Sequence, residues 1–502
     1  MRRHEVRAQP PGERPPKTEQ LAWKIASLAA DDALLDPMAC ETVADRVIDD
    51  AAVAIAAINR KSVANARSQA LAFPRPGGAT LFGLPPEQRV DCLWAAWANA
   101  TAVRELDFHD NFFSEESSHP GDSIMPLVAV AQQCGRSGRD LVRAIVTAYE
   151  VQIDLSKAIP LNRHRIDHVA HLGPAVAAGL GALLGLDAEV LYQAVQHAAH
   201  VSCATRQARK GEISSWKANA PGHVGKLAIE AIDRAMRGET SPSPIYEGDY
   251  GIIATLLGGP EAVYHVPLPE PGEPKRAILE TYAKEYSAGY HGQALIDLAI
   301  RMRESIPDFD SIRSIDIHTK RLTHVVMGSG AQDPEKYDPD ASRETLDHSA
   351  MFIFAVALQD GTWHHERSYD PVRVHRPDTV RLWRKIRTLE DPEWTRRFEV
   401  PPPLDKDHGA RVVVTFEDGR ELVDEIAVAD AHPRGARPFA RPDYIRKFLG
   451  LTGGLREPAE SARFLELAQD LPELPPEALA GLTPVVPDER LERARRDTRG
   501  LF

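Results

Sequence analysis

Three stretches of the chain concentrate side chains able to move protons or hold anions. The densest is ELDFHDNFFSEESSHPGD, residues 105–122, which sets Asp107, His109, Asp110, Glu115, Glu116, His119 and Asp122 beside Phe108, Phe112 and Phe113 and ends in a His-Pro-Gly turn. Carboxylates and imidazoles against aromatic rings form a setting in which burial can move their pKa values apart, as acid–base catalysis requires. The same residues also describe an acidic surface loop anchored by its aromatics. A dinuclear metal site is a third reading, weakened by the lack of a helical E-x-x-H or H-E-x-x-H spacing.

The second stretch, RHRIDH (163–168), places Arg163, His164, Arg165 and His168 just ahead of an Ala/Gly-rich run, where a helix N-terminus would also favour an anion. A solvated basic loop is the plainer account of any single residue there. The third, RQARKGEISSWKANAPGHVGK (206–226), sets Arg206, Arg209, Lys210, Lys217 and His223 around Gly211 and a break at Pro221-Gly222.

Helices must position these groups. Residues 20–240 follow helical periodicity, with Asp36-Pro37 as an N-cap and first turn, Ser137 and Asp140 as an approximate capping box, Asp187 as a further cap, and a helix from about His223 to Gly238. The apolar run Leu172–Leu186 is too short to span a bilayer and predicts a buried helix in close contact with its neighbours. After the proline-rich linker 266–275 the texture changes. Ile315 and Ile317 alternate with polar residues, and the runs 412–416 and 420–426 flank Asp418-Gly419, a hairpin signal, with helical pieces at 292–305 and 342–358. Helical spacing returns at 441–449 and 457–467. The expectation is a mainly α protein. It has a flexible N-terminal arm (1–19), a large all-helical domain (20–269), a smaller α+β domain (270–430) and a C-terminal helical segment (431–502).

Composition removes several function classes. The 60 Lys+Arg against 73 Asp+Glu give a net charge of −13 without long blocks of one sign, so no basic footprint for nucleic acid exists, and an anionic substrate must be met by a local cation cluster. The four cysteines, Cys40, Cys92, Cys134 and Cys203, stand alone, which encodes neither a disulfide framework nor a local zinc or iron–sulfur site and fits a reducing, cytoplasmic setting. The N-terminus lacks the apolar core of a signal peptide.

Several segments, in order and spread over nearly the whole length, resemble the MmgE/PrpD family: 18–32, 48–60, LDFHDNFF with SHPGDSIMPLVAVAQ, IDHVAHLGPAVAAGLGALLGL, SSWKANAPGHVGKLA and DHSAMFIFAVALQDG. Within that family the likeness is greatest to the 2-methylcitrate dehydratases. It implies a homodimer with a large helical domain built from both chain ends, an α+β lid between them, and an active site in the cleft that takes a small tricarboxylate without metal or cofactor. By the same resemblance Asp107 and His119 stand at the family's aspartate and His-Pro histidine, and Asn111 where related decarboxylases carry threonine. His168 lies about where a histidine precedes the Ala-rich helix, Lys217 matches the lysine before the glycine turn, and Lys284 the lysine of the lid. Phe352 replaces a tyrosine usual after Asp347-His348-Ser349, for which Tyr286 or Tyr290 is a substitute.

The chemistry so implied removes a proton from a carbon next to a carboxylate while a hydroxyl leaves protonated. His119 or His168 is the expected base. Lys217, Lys284, Arg206 or Arg209 hold the carboxylates, with Asn111, His223 and Phe352 as further contacts, and Asp107 orients an imidazole or helps protonate the hydroxyl. Decarboxylation of cis-aconitate, epimerisation of an amino diacid and non-catalytic carboxylate binding are the alternatives.

Overall fold

The computed structural model describes residues 1–13, 15–400, 406–492 and 501, so parts of the expected arm, α+β domain and C-terminal segment lie outside the described residues. Helices dominate. Strands are few and short: β1 (Arg2–Arg7), β2 (Pro74–Ala79), β3 (Phe112–Phe113), β4 (Ser117–Ser118), β5 (Val263–Leu268), β6 (Ile312–Thr319), β7 (Ile386–Glu390), β8 (Ala410–Phe416) and β9 (Glu421–Ile426).

The expected flexible arm needs correction, because β1 pairs antiparallel with β5 and buries Val6 to 2 % exposure. Its apolar content is a single inward valine, too little to read as a strand, and its partner lies far along the chain.

The first half is built from α1 (Leu21–Ala30), α2 (Pro37–Ala56), α3 (Lys61–Leu71), α4 (Cys92–Arg104), α5 (Ile124–Gln133), α6 (Gly138–Ala158), α7 (Val169–Leu184), α8 (Ala188–Val201), α9 (Trp216–Met236) and the short α10 (Ile252–Leu256). The predicted caps form. Asp36 accepts from the Met38 and Ala39 amides at 2.9 and 3.1 Å, Ser137 and Asp140 close a capping box, and Asp187 accepts from Val190 at 2.9 Å. Each such cap contributes about 1 kcal/mol. The Ala/Gly run is α7, packed among α6, α8 and α9. A side-chain carbon on Gly173 would lie 1.9 Å from Ser202 Oγ, so the close approach requires glycine.

The break expected at Pro221-Gly222 does not occur, since α9 starts at Trp216 and runs through Pro221. Proline has no N–H to give the carbonyl of Lys217, four residues back. That carbonyl instead accepts Arg209 Nη1 at 3.0 Å, so the missing helix bond is replaced by a bond from the candidate site.

The second half contains α11 (Tyr290–Arg303), α12 (Arg321–Val326), α13 (Arg343–Leu346), α14 (Ala350–Asp360), α15 (Pro371–Val374), α16 (Pro377–Arg384) and α17 (Pro392–Phe398) around a four-stranded sheet of order β7-β6-β8-β9. The β8–β9 hairpin turns through Asp418-Gly419 as the sequence predicts, with Gly419 at φ 87°. β7, parallel to β6, carries no alternation strong enough to announce it.

Two hydrophobic cores result. One gathers buried residues from Val6 to Ala283 and again from Tyr444 to Leu491, the second part contributed by α18 (Arg441–Thr452), α19 (Pro458–Gln469) and the turns that follow. The other runs from Ala288 to Phe416. Among the described residues no helix is long and apolar enough to cross a membrane.

Candidate active site

The three stretches meet where the two cores face each other. One recess is lined by Asp107, Asn111, His119, His168, Arg206, Arg209, Lys217 and Lys284 together with Arg104, and by Tyr290, His291, Leu322, Val326, Met327 and His348 from the other side. Its water-accessible volume is about 90 Å³.

Asp107 is the hub. It follows the end of α4 in a left-handed conformation, φ 49°, which a non-glycine residue adopts only when its surroundings hold it there. They do so by charge. Its carboxylate pairs with Arg104 from the last turn of α4, accepts from Lys284 Nζ at 2.6 Å, and lies 3.2 Å from Lys217 Nζ. Lys284 also donates to the Asp107 carbonyl at 2.7 Å. His119 Nε2 and His348 Nε2 stand 3.8 and 3.7 Å away. Burial opposes ionisation of Asp107, but Arg104, Lys284 and Lys217 outweigh it and hold the carboxyl well below the usual range. Asp107 is therefore held as a carboxylate among these cations.

Lys217 is shared with a second carboxylate. Its Nζ lies 2.9 Å from Asp347 Oδ1 and 3.2 Å from His348 Nδ1. Asp347 is held below its ordinary pKa by Lys217 and His348 against the cost of burial. One donor atom each from Asp107, Asp347 and His348 lie within 4.8 Å of one another, the spacing of a metal site. The ammonium of Lys217 already bonds to the carboxylates of that group, so the set is matched to a lysine and a divalent ion would have to displace it.

Both candidate imidazoles sit in this recess, rings 5.4 Å apart. His119 Nδ1 contacts the Asp110 carbonyl at 3.1 Å, and its pKa is driven well below the ordinary value by burial and then by Arg104 and Lys284. The His-Pro-Gly turn is tight, since a Cβ on Gly121 would lie 2.8 Å from His109 Cδ2. His168, immediately before α7, is lowered by burial while Asp167 opposes the shift. Lys284, with essentially no exposure, is pushed down to about 8 by burial.

The segment 105–122 is thus not a surface loop, because Asp107, His109, Asp110, Glu116 and Asp122 are all buried. The chain's C-terminal part supports it. Lys447 of α18 pairs with Asp49 at 2.6 Å and donates to the carbonyls of Phe108 and Lys284 at 2.7 and 2.8 Å. Asn111 exchanges backbone bonds with Tyr282, which fixes the loop against the segment leading to Lys284, and its side-chain Oδ1 is buried without a hydrogen-bond partner among the described residues.

Two expected residues lie elsewhere. His223 packs edge-on against Trp97, tilted against Trp216, and does not line the recess. Phe352 is fully buried in α14 among Trp363, Tyr369 and Trp383 and does not line the recess. α14 is apolar all round, and each of its faces meets core. Arg104 escaped the sequence reading, although its position three residues before Asp107 at a helix end was the available signal. Asp347 and His348 were visible only as part of a motif.

The mainly helical fold agrees with what comparison finds. The profile of the MmgE/PrpD N-terminal domain matches residues 19–265 and that of the MmgE/PrpD C-terminal domain residues 286–473. The chain belongs to the MmgE/PrpD family. It is 24 % identical to the mitochondrial 2-methylcitrate dehydratase of Yarrowia lipolytica, over 82 % of this chain and 80 % of that one. It is 24 % identical to the 2-methylcitrate dehydratase of Salmonella typhimurium over 74 % and 77 %. It is also 27 % identical to the mouse cis-aconitate decarboxylase over 74 % and 73 %.

Proposed function

We propose that this protein is a 2-methylcitrate dehydratase of propionate catabolism, a hydro-lyase that forms 2-methyl-cis-aconitate with its own side chains alone. The observation that carries the reading is one recess holding both a cation cradle and two buried imidazoles. Elimination breaks a C–H bond next to a carboxylate and the C–O bond on the neighbouring carbon, and negative charge builds on that carboxylate as the proton leaves. Lys217, Arg206 and Arg209, which line the recess, bind it, a preorganised electrostatic contribution of several kcal/mol. His119 or His168, kept neutral by burial, takes the proton. Lys284, an ammonium below about pH 8, gives its proton to the hydroxyl, which departs as water. Ile213, Leu322, Val326 and Met327 supply an apolar wall suited to the substrate's methyl group.

In this reading the second core is a lid over the first, and the two separate to admit substrate. The enzyme works as a cytoplasmic homodimer. The test is chelator-treated protein mixed with 2-methylcitrate and followed by ultraviolet absorbance of the conjugated acid. Turnover faster than with citrate supports the reading. The likeness to a cis-aconitate decarboxylase motivates a second reading, and carbon dioxide release from cis-aconitate with no reaction of 2-methylcitrate would establish that one instead.

A further inference from the structure

Asp167 binds two site residues at once. Its Oδ1 lies 3.0 Å from His168 Nδ1, its Oδ2 accepts from Arg209 Nε at 3.1 Å, and Arg209 Nη2 reaches Oδ1 at 3.4 Å. The carboxylate is 1 % exposed and fixed from its backbone as well. Ile166 bridges to Thr205, the Asp167 amide donates to the Ala204 carbonyl at 2.8 Å, and Arg206 N–H donates to the Arg165 carbonyl at 2.8 Å, with Arg165 at φ 59° turning the chain. His168 Nε2, the ring's far nitrogen, is buried and has no hydrogen-bond partner among the described residues, while the residue lines the recess.

A carboxylate on Nδ1 fixes the Nδ1–H tautomer, leaves a lone pair on Nε2, and stabilises the imidazolium that forms when Nε2 takes a proton. His119 is held differently: its Nδ1 meets a neutral backbone carbonyl, Arg104 and Lys284 disfavour its imidazolium, and its nearest carboxylate, Asp107, lies 3.8 Å from Nε2 and is itself paired with those cations, whereas Asp167 outranks Arg209 and Arg104 at His168. We infer that His168 is the base that removes the substrate proton and that Asp167 is its positioning residue, coupling the base to the carboxylate-binding Arg209. This assignment rests on the dehydratase reading and deepens it. The charged and titratable groups facing His168 are Asp167, Arg209, Arg104, Asp122, His119 and His171.

The experiment has a binding-free arm and a kinetic arm. Nitrogen-15 NMR of histidine-labelled protein, with His168→Gln to assign the signal, should show Nδ1–H and a free Nε2 in the unliganded protein. Asp167→Asn should lower kcat by roughly 10²- to 10⁴-fold, raise KM less than Arg209→Gln does and shift the acid limb of the pH profile to lower pH, Asp167→Glu recovering part of the loss. Arg209→Gln should raise KM and move the acid limb to higher pH, because the guanidinium disfavours the His168 imidazolium, the direction opposite to that of Asp167→Asn. An Nε2–H tautomer in the parent protein, or Asp167→Asn within a factor of two of the parent in kcat with the same acid limb, overturns the assignment. If Asp167→Asn does not fold, the tautomer of the parent protein still decides. Failure of the parent to turn over 2-methylcitrate would sink the dehydratase reading separately, because the NMR arm needs no turnover.

Discussion

The two sides of the recess bury basic groups equally well but treat them differently. On the Asp107 side, Arg104, Lys217 and Lys284 converge on one carboxylate, with Asp347 and Asp122 behind it. On the side of α11 and the sheet, Lys320, His291 and His408 are buried around Phe113, Tyr290 and Phe398, and among the described residues neither ring nitrogen of His408 has a hydrogen-bond partner. Lys320 donates to the His408 carbonyl at 3.0 Å, burial pushes it down to about 7, and only the more distant Asp407 opposes that shift. Burial alone does not decide whether a base keeps its charge. Lys284 falls to about 8 and Lys320 to about 7, and the carboxylate in contact with Lys284 offsets part of the cost of its burial.

The sharpest way to break that contrast is Asp107→Asn. It leaves three buried cations without their shared anion, so the protein should lose about 3–5 kcal/mol of stability by chemical denaturation and essentially all turnover. Full stability would mean that the cations were not organised by Asp107. The next effect concerns Lys284. Replacing it with Met removes the proposed acid and should lower kcat by roughly 10²- to 10⁴-fold. In the parent, kcat should fall as pH rises past about 8, where the ammonium loses its proton. A flat profile to pH 10 would remove Lys284 as the proton donor.

How much of this was legible depends on the range over which the cause acts. Helix caps at Asp36, Ser137 and Asp187 and the Asp418-Gly419 hairpin are local chemistry, and each was readable from a few neighbouring residues. Eight of the ten proposed site residues line one recess, seven of them from the three short stretches that sequence singled out and Lys284 from outside them. Their partnerships are another matter. Asp107 meets Lys217, Lys284 and His348 only through tertiary packing, and no spacing encodes that. The strand β1 was hidden because its partner β5 lies beyond the whole helical half, and the continuity of α9 through Pro221 depended on Arg209 arriving from outside the helix.

Lys320 sharpens the comparison from the other side. Its pKa is lowered in the folded state relative to the ordinary 10.5, so the unfolded chain binds the proton more tightly between about pH 7 and 10.5, and stability rises with pH across that window. The penalty for burying this lysine is therefore full below about pH 7 and fades toward 10.5. Lys320→Met should stabilise the protein by about 2–3 kcal/mol at pH 6 and by much less at pH 9, measured by denaturant unfolding at the two values. An equal gain at both would mean that the lysine's charge is not what burial penalises.

Phe352→Tyr gives the smallest effect and separates resemblance from geometry. Resemblance makes the position a candidate contact, and on that view restoring the hydroxyl should raise turnover. The structure puts the ring at zero exposure, with Trp383 at 5.1 Å, Tyr369 at 5.9 Å and Trp363 at 6.2 Å between centroids, inside the second core rather than in the recess. A hydroxyl there must either find a partner among aromatic rings or remain unpaired, which costs about 1–3 kcal/mol. The expected outcome is a lower melting midpoint with kcat and KM within a factor of two of the parent. A gain in kcat would instead require the ring to leave its pocket and reach substrate, and would mean that α14 rotates when the two cores part.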